Sequence, residues 1–147
     1  MKLAHLAMTV RDTKRTLDFY CNVLGAELLW DADEPQQGVQ TDTIFELPSA
    51  VVSVSGVSLG GVTVEFFEFH QPKVPEDSFR TDYRTGGWKH LALEVTDIDA
   101  EVARLKERGV YFRYPIQTLP NGMRMVYFDD PDGVMLELIE PSLWTRI

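Results

Sequence analysis

His5-Leu6-Ala7-Met8-Thr9-Val10-Arg11-Asp12 returns in the second half of the chain as His90-Leu91-Ala92-Leu93-Glu94-Val95-Thr96-Asp97. Histidine, leucine, alanine, valine and aspartate recur in register. Each copy runs into a helical pattern closed by glycine: Thr13 to Leu24 before Gly25, and Ile98 to Arg108 before Gly109. A glutamate follows late in each half, inside Val62-Thr63-Val64-Glu65-Phe66-Phe67 and Val134-Met135-Leu136-Glu137-Leu138-Ile139. Two histidines and two glutamates at repeated positions make a ligand set for one divalent metal ion.

Working outward, strand and turn signals predict the same βαβββ order in each half. In the first half the strands are Lys2 to Val10, Ala26 to Asp31, about Thr41 to Leu47 (extended or followed by Ala50 to Val54), and Val62 to Phe69. Asp12 caps the helix, whose buried stripe is Leu17, Tyr20, Cys21 and Leu24. In the second half they are Lys89 to Thr96, Val110 to Arg113, Arg124 to Phe128 and Val134 to Ile139. Ile98, Val102 and Leu105 mark the helix, and Asp130-Pro131-Asp132-Gly133 turns into the last strand. The expected organisation is a first module at 1–72, a linker rich in proline, charge and glycine at 73–87, and a second module at 88–147. The fold class is α+β: two βαβββ modules in tandem forming a cup-shaped, partly closed sheet.

Strand alternation assigns the faces. Leu6, Met8 and Val10 lie under the helix with Val64 and Phe66, as do Leu91, Leu93 and Val95 with Leu136 and Leu138. His5, Glu65, His90 and Glu137 fall on the opposite face. A carboxylate in an apolar strand is costly without a partner, and a metal ion removes that cost. Glu68 and Glu140 recur three positions after these glutamates, point the other way and read as solvated. His70 reads as a surface residue, and Cys21 as core.

Composition excludes several classes. The net charge of −9 opposes binding to nucleic acid or to an anionic membrane surface. No apolar run is long enough to span a bilayer. The N-terminal residues lack the pattern of a signal peptide, and the single cysteine forms no internal disulfide; both favour the cytoplasm. No Ser-His-Asp set, phosphate loop or dinucleotide fingerprint is visible.

These blocks resemble the glyoxalase, bleomycin-resistance and ring-cleaving dioxygenase superfamily, the vicinal oxygen chelate proteins. The resemblance covers almost the whole chain. It is carried by the two His-Leu-Ala repeats, by Leu17-Asp18-Phe19-Tyr20 with Leu24-Gly25, by Leu105 with Gly109-Val110, and by Asp130 through Ile139. It implies His5, Glu65, His90 and Glu137 as ligands of one divalent ion (Zn, Ni, Co, Mn or Fe). Four protein ligands leave about two open positions on an octahedral ion, which suits a chelated substrate whose oxyanion the ion stabilises.

The resemblance therefore implies a metal-dependent lyase or isomerase similar to glyoxalase I. Proton transfer would take place next to a chelated carbonyl on a small oxygenated substrate, with Glu65 or Glu137 as the base. Ring-cleaving oxygenases resemble a two-His, one-carboxylate site, so Glu65 disfavours that alternative. A third alternative is a protein that binds an antibiotic or other natural product without turnover. Pro35-Gln36-Gln37-Gly38-Val39 looks like a segment of the methylmalonyl thioester epimerases, with Asp42 and Glu46 as nearby acids. Phe67, Phe69, Trp88 and Met125 are expected to line the substrate pocket, and Arg124 is the expected cationic contact. A homodimer is expected, with Leu143-Trp144 covered in it. The modules can pair within one chain or across that dimer.

Overall fold

The structure, a computed structural model, describes residues 1–32, 34–79 and 82–142. Leu143 and Trp144, expected at a dimer contact, lie outside the described residues. The chain divides into two compact units, Met1–Ser78 and Phe79–Ile147. Both mix strands with few helices, in the α+β class that the repeat predicts. No helix among the described residues is long and apolar enough to cross a membrane.

The first unit runs β1 (His5–Val10), α1 (Thr13–Leu17), β2 (Glu27–Asp31), β3 (Gln36–Gln37), α2 (Val39–Phe45), β4 (Val51–Leu59) and β5 (Val62–Gln71). Its sheet has the order β1-β5-β4-β2, with β3 pairing β4. β1 and β5 are parallel, so Ala7 stands opposite Glu65 and Thr9 opposite Phe67. The buried side is the predicted one. Val10, Val64 and Phe66 are fully buried, and the Tyr20 ring packs 4.8 Å from that of Phe66.

Two local readings in this unit need correction. The first helix does not continue as an α-helix. A π-helical turn, Asp18–Val23, follows α1, with Leu24 N–H donating to the Phe19 carbonyl five residues back. The wider turn rotates later side chains relative to a 3.6-residue stripe. Thr13, Thr16 and Tyr20 become the buried face, and Cys21 and Leu24 are only half-buried.

The predicted strand at Thr41–Leu47 is the helix α2. Gly38, at φ +102°, turns the chain out of β3. The Asp42 carboxylate then accepts the Ser49 and Ala50 backbone N–H groups at 2.9 and 2.8 Å. Glu46 closes the helix in the left-handed region, at φ +54°. Local hydrogen bonds thus outweigh the β-branched composition of this stretch.

The second unit runs β6 (Leu91–Glu94), α3 (Ile98–Glu107), β7 (Gln117–Thr118), β8 (Arg124–Asp129) and β9 (Met135–Glu140), in the sheet order β6-β9-β8-β7. β6 and β9 are parallel, matching β1 and β5. Ile98, Val102 and Leu105 are buried as the helical stripe predicts. The expected strand at Val110–Arg113 reduces to one bridge between Phe112 and Phe128. Pro115 lacks a ladder donor, and pairing resumes only at Gln117.

Both helices begin alike. Asp12 and Asp97 accept the N–H groups of Arg15 and Ala100 as N-caps, at 2.9 and 3.0 Å. Glu68 and Glu140 do not extend into solvent. Glu68 Oε2 accepts the Thr13 N–H at 2.8 Å, and Glu140 Oε2 accepts the Ile98 N–H at 2.8 Å. Strand parity puts both carboxylates on the helix side, where the helix start supplies unsatisfied donors. His70 is half-buried rather than a free surface residue: its Nε2 lies 2.8 Å from Ser53 Oγ and its Nδ1 3.7 Å from Glu68 Oε1.

Candidate functional site

Each unit brings one histidine and one glutamate together. In the first, His5 opens β1 and Glu65 lies on its parallel neighbour β5; His5 Nε2 stands 3.4 Å from Glu65 Oε2. In the second, His90 precedes β6 and Glu137 lies on β9; His90 Nε2 stands 3.0 Å from Glu137 Oε2. Among the described residues, no group of three or more His, Cys, Asp or Glu side chains gathers at one point.

The donor chemistry of each pair fits two ligands of one divalent ion. Two donors each about 2.1 Å from such an ion lie about 3.0 Å apart at a right angle and about 3.4 Å apart at a tetrahedral angle. Nitrogen from a neutral imidazole and oxygen from a carboxylate suit Zn, Ni, Co, Mn or Fe.

The pairs differ in surroundings. Glu137 is buried, and burial pushes its carboxyl above the ordinary value while the His90 imidazole pulls it back. Tyr127 stands directly across from Glu137 on β8. Its ring centroid is 5.1 Å from His90, 6.1 Å from Tyr83 in a stacked arrangement, and 5.9 Å from Tyr114. Burial, and after it the hydrogen bond its own hydroxyl donates to Tyr83, raises the Tyr127 phenol. Burial likewise raises Tyr114. The Tyr83 hydroxyl lies 3.4 Å from His90 Nδ1, on the far side of the imidazole from Glu137. A histidine that gives Nε2 to a metal carries its proton on Nδ1, and Tyr83 stands where an oxygen would receive that proton.

On the first unit, Phe67 and Phe69 share the face of Glu65, as parity predicts. The Phe45 ring, brought by α2, packs edge-on at 5.3 Å from each. Trp30 reaches the same face from β2. It pairs with Gly56, and Gly56 pairs with Glu65. The indole lies so close over Gly56 that a Cβ there would meet its Cζ2 at 2.3 Å. Glycine is therefore required at this position for close approach rather than for backbone freedom.

Three expected contacts are placed otherwise or only indirectly. Arg124 pairs across from Glu140, on the helix side of the sheet, and its guanidinium binds Asp99 at 2.7 Å and Glu140 at 3.6 Å. The alternation of β8 puts it on the opposite face from Tyr127 and Glu137, so it cannot serve a substrate held there. Trp88 is 91% exposed, and no described strand holds it. Met125 is on the Glu137 side but buried, and its sulfur accepts the Tyr114 hydroxyl at 3.8 Å. It supports the tyrosines rather than meeting solvent. The two acids near the Gln36-Gln37 segment are also accounted for: Asp42 is held by backbone donors, and Glu46 is an exposed helix cap.

Trp30, Phe45, Tyr83, Tyr114 and Tyr127 were not predicted. A signal for Tyr127 exists in the sequence: a hairpin closed by Asp130–Gly133 counts back from Glu137 to Tyr127. The others depend on sheet order and loop path, which no local pattern encodes.

Known proteins extend these observations. A 2-epi-5-epi-valiolone epimerase of Actinomyces sp is 33% identical over 144 residues, covering 92% of this chain and 76% of its own. A lactoylglutathione lyase of Pseudomonas aeruginosa is 31% identical over 150 residues, covering 95% and 82%. Among solved structures, a glyoxalase family protein from Bacillus cereus superposes with a TM-score of 0.81 at 20% identity, covering 95% of this chain and 93% of that one. The fosfomycin resistance protein FosX of Listeria monocytogenes, in complex with Mn(II) and sulfate, gives 0.62 at 20% identity, covering 99% and 96%. Relatives at about 30% identity thus include a lyase and an epimerase, and a protein of the same fold takes a divalent metal. The family model described as Glyoxalase/Bleomycin resistance protein/Dioxygenase superfamily matches residues 2–138, and the chain belongs to that superfamily.

Proposed function

We propose that this protein is a metal-dependent lyase or isomerase, similar in chemistry to glyoxalase I, that moves a proton next to a carbonyl of a small oxygenated substrate. The observation that carries this reading is the repetition of one His–Glu pair at equivalent positions of both units, at ligand-like spacing. His5, Glu65, His90 and Glu137 would hold one divalent ion, drawn from one chain or from two copies in a homodimer. When bound, the ion supplies Lewis-acid stabilisation of the oxygen that becomes negative as the neighbouring carbon loses its proton.

The chain's own residues do the rest. Glu65 is the better placed base: its side chain is 19% exposed against 9% for Glu137, and it is held less closely by its histidine. Its carboxylate accepts the proton from carbon, retains it on one oxygen and returns it to the same or the adjacent carbon. Return to the adjacent carbon is isomerisation; epimerisation needs the proton delivered to the opposite face of the planar carbon, by a second acid or by solvent. Glu137 is the second candidate for this role. A cytoplasmic location suits a chain with one cysteine.

The test is metal stoichiometry together with solvent deuterium incorporation. Metal-loaded protein should hold one ion per site, and His90→Ala should abolish binding. A methylglyoxal–glutathione hemithioacetal, a 2-methyl-branched thioester and a neutral hydroxyketone are offered in turn, and the one that turns over serves for the exchange measurement. Deuterium should enter the product carbon, and Glu65→Gln should retain most of the metal while losing turnover and exchange. Unchanged stoichiometry in a His5→Ala, His90→Ala double variant would refute the ligand set.

A further inference from the structure

We infer that Trp30 forms the substrate-selecting wall beside Glu65, and that it selects an uncharged substrate whose carbonyl carries a flat, apolar aryl or conjugated group. This rests on the reading of Glu65 as the proton-moving group. Glu65, Gly56 and Trp30 form one cross-strand row through β5, β4 and β2. Side chains directly opposite each other in such a row project to one face about 5 Å apart. The missing side chain of Gly56 is replaced by the indole of Trp30, which crosses β4 toward β5. On the other side of Glu65 stands Ala7, which is short and leaves the carboxylate accessible.

The indole retains an open surface, being 38% exposed. One step further along β5 the Phe67 ring continues the apolar wall, backed by Phe45. A π surface beside a carboxylate suits a planar group stacked on the indole, with its reacting carbon toward Glu65. The strand residues that the register puts on this face include no lysine or arginine among the described residues. The chain as a whole is also acidic, at −9. A substrate carrying carboxylates or phosphates, such as a glutathione adduct or a coenzyme thioester, would meet repulsion without a seat for its charge.

The experiment compares 2-hydroxyacetophenone, a neutral aryl hydroxyketone, with hydroxyacetone, its methyl counterpart. Binding is read from the indole N–H resonances, assigned among the three tryptophans with Trp30→Phe and Trp88→Phe. The Trp30 signal should move on addition of the aryl compound, which should bind at least about tenfold tighter than the methyl compound. Trp30→Ala should bring that ratio close to one. Gly56→Ala should do the same, because the new Cβ evicts the indole; should it fail to fold, Trp30→Ala carries the test. An unchanged ratio in Trp30→Ala, no movement of the Trp30 signal, or tighter binding of the glutathione hemithioacetal would each overturn the inference. Selective aryl binding at Trp30 in a protein with no metal site and no deuterium exchange would instead leave the wall standing and refute the proton-transfer reading.

Discussion

Glu140 accepts the backbone N–H of Ile98 at 2.8 Å, across 42 positions of chain, and so ties the end of β9 to the start of α3. Glu68 and Thr13 make the same bond in the first unit, across 55 positions. Each glutamate follows a candidate ligand by three residues. The same strand therefore presents one carboxylate to the functional face and one to the helix.

These helix-start carboxylates should contribute measurably to stability. A charged acceptor on a half-buried donor is worth about 1.5–3 kcal/mol. Glu140→Ala and Glu68→Ala should each lower the unfolding free energy by about that amount in urea titrations, and the glutamine variants by less, since an amide oxygen still accepts. An alanine variant as stable as the parent would show that solvent replaces the bond at no cost.

Tyr83 should act on metal binding through His90. Tyr83→Phe keeps a ring to stack on Tyr127 but removes the oxygen 3.4 Å from His90 Nδ1. Loss of a partner outside the ligand set commonly costs about tenfold or more in metal affinity. Zinc titration should show that loss, and the nitrogen resonances of His90 in metal-free protein should shift. Neither change is expected if Tyr83 only fills space.

Acid sensitivity should involve Asp99 and Arg124. The hydrogen bond from Arg124 holds the Asp99 carboxyl below its ordinary value of 3.8. A depressed carboxyl in the folded state means that the unfolded chain takes up its proton first as pH falls. Its contribution is therefore present above 3.8 and is lost as pH drops through the lower folded value. Arg124→Leu should narrow its stability gap to the parent as the pH is taken below about 4, while the gap stays level near neutrality. Urea midpoints measured across that range check the sign.

Self-association should leave a mass near twice 16.8 kDa in light scattering at micromolar concentration. β2 ends its sheet, and Leu28 and Leu29 on it are exposed. An apolar edge strand of this kind is normally covered, and a two-fold contact is the commonest way to do so. A monomer mass would refute the homodimer; a Leu28→Lys, Leu29→Lys variant that dissociates the pair would place the contact on this strand.

The sequence by itself determined the repeat, the α+β class and the side of each sheet on which His5, Glu65, His90 and Glu137 stand. These properties are local. A period of two settles which residues share a strand face, and a glycine after an apolar stripe settles where a helix ends. The same local rules failed where neighbouring residues outweighed pattern, as when Asp42 and Gly38 turned a β-branched stretch into α2. Only the tertiary structure decided which residues stand beside the pairs. Trp30 is brought into one cross-strand row with Glu65 through two successive strand pairings, Tyr83 reaches His90 from a stretch with no periodic signal, and Arg124 is drawn away to Asp99 by a helix remote in sequence. Each of these contacts depends on the order and register of whole strands, which are set by packing of the complete sheet and not by any window of the chain.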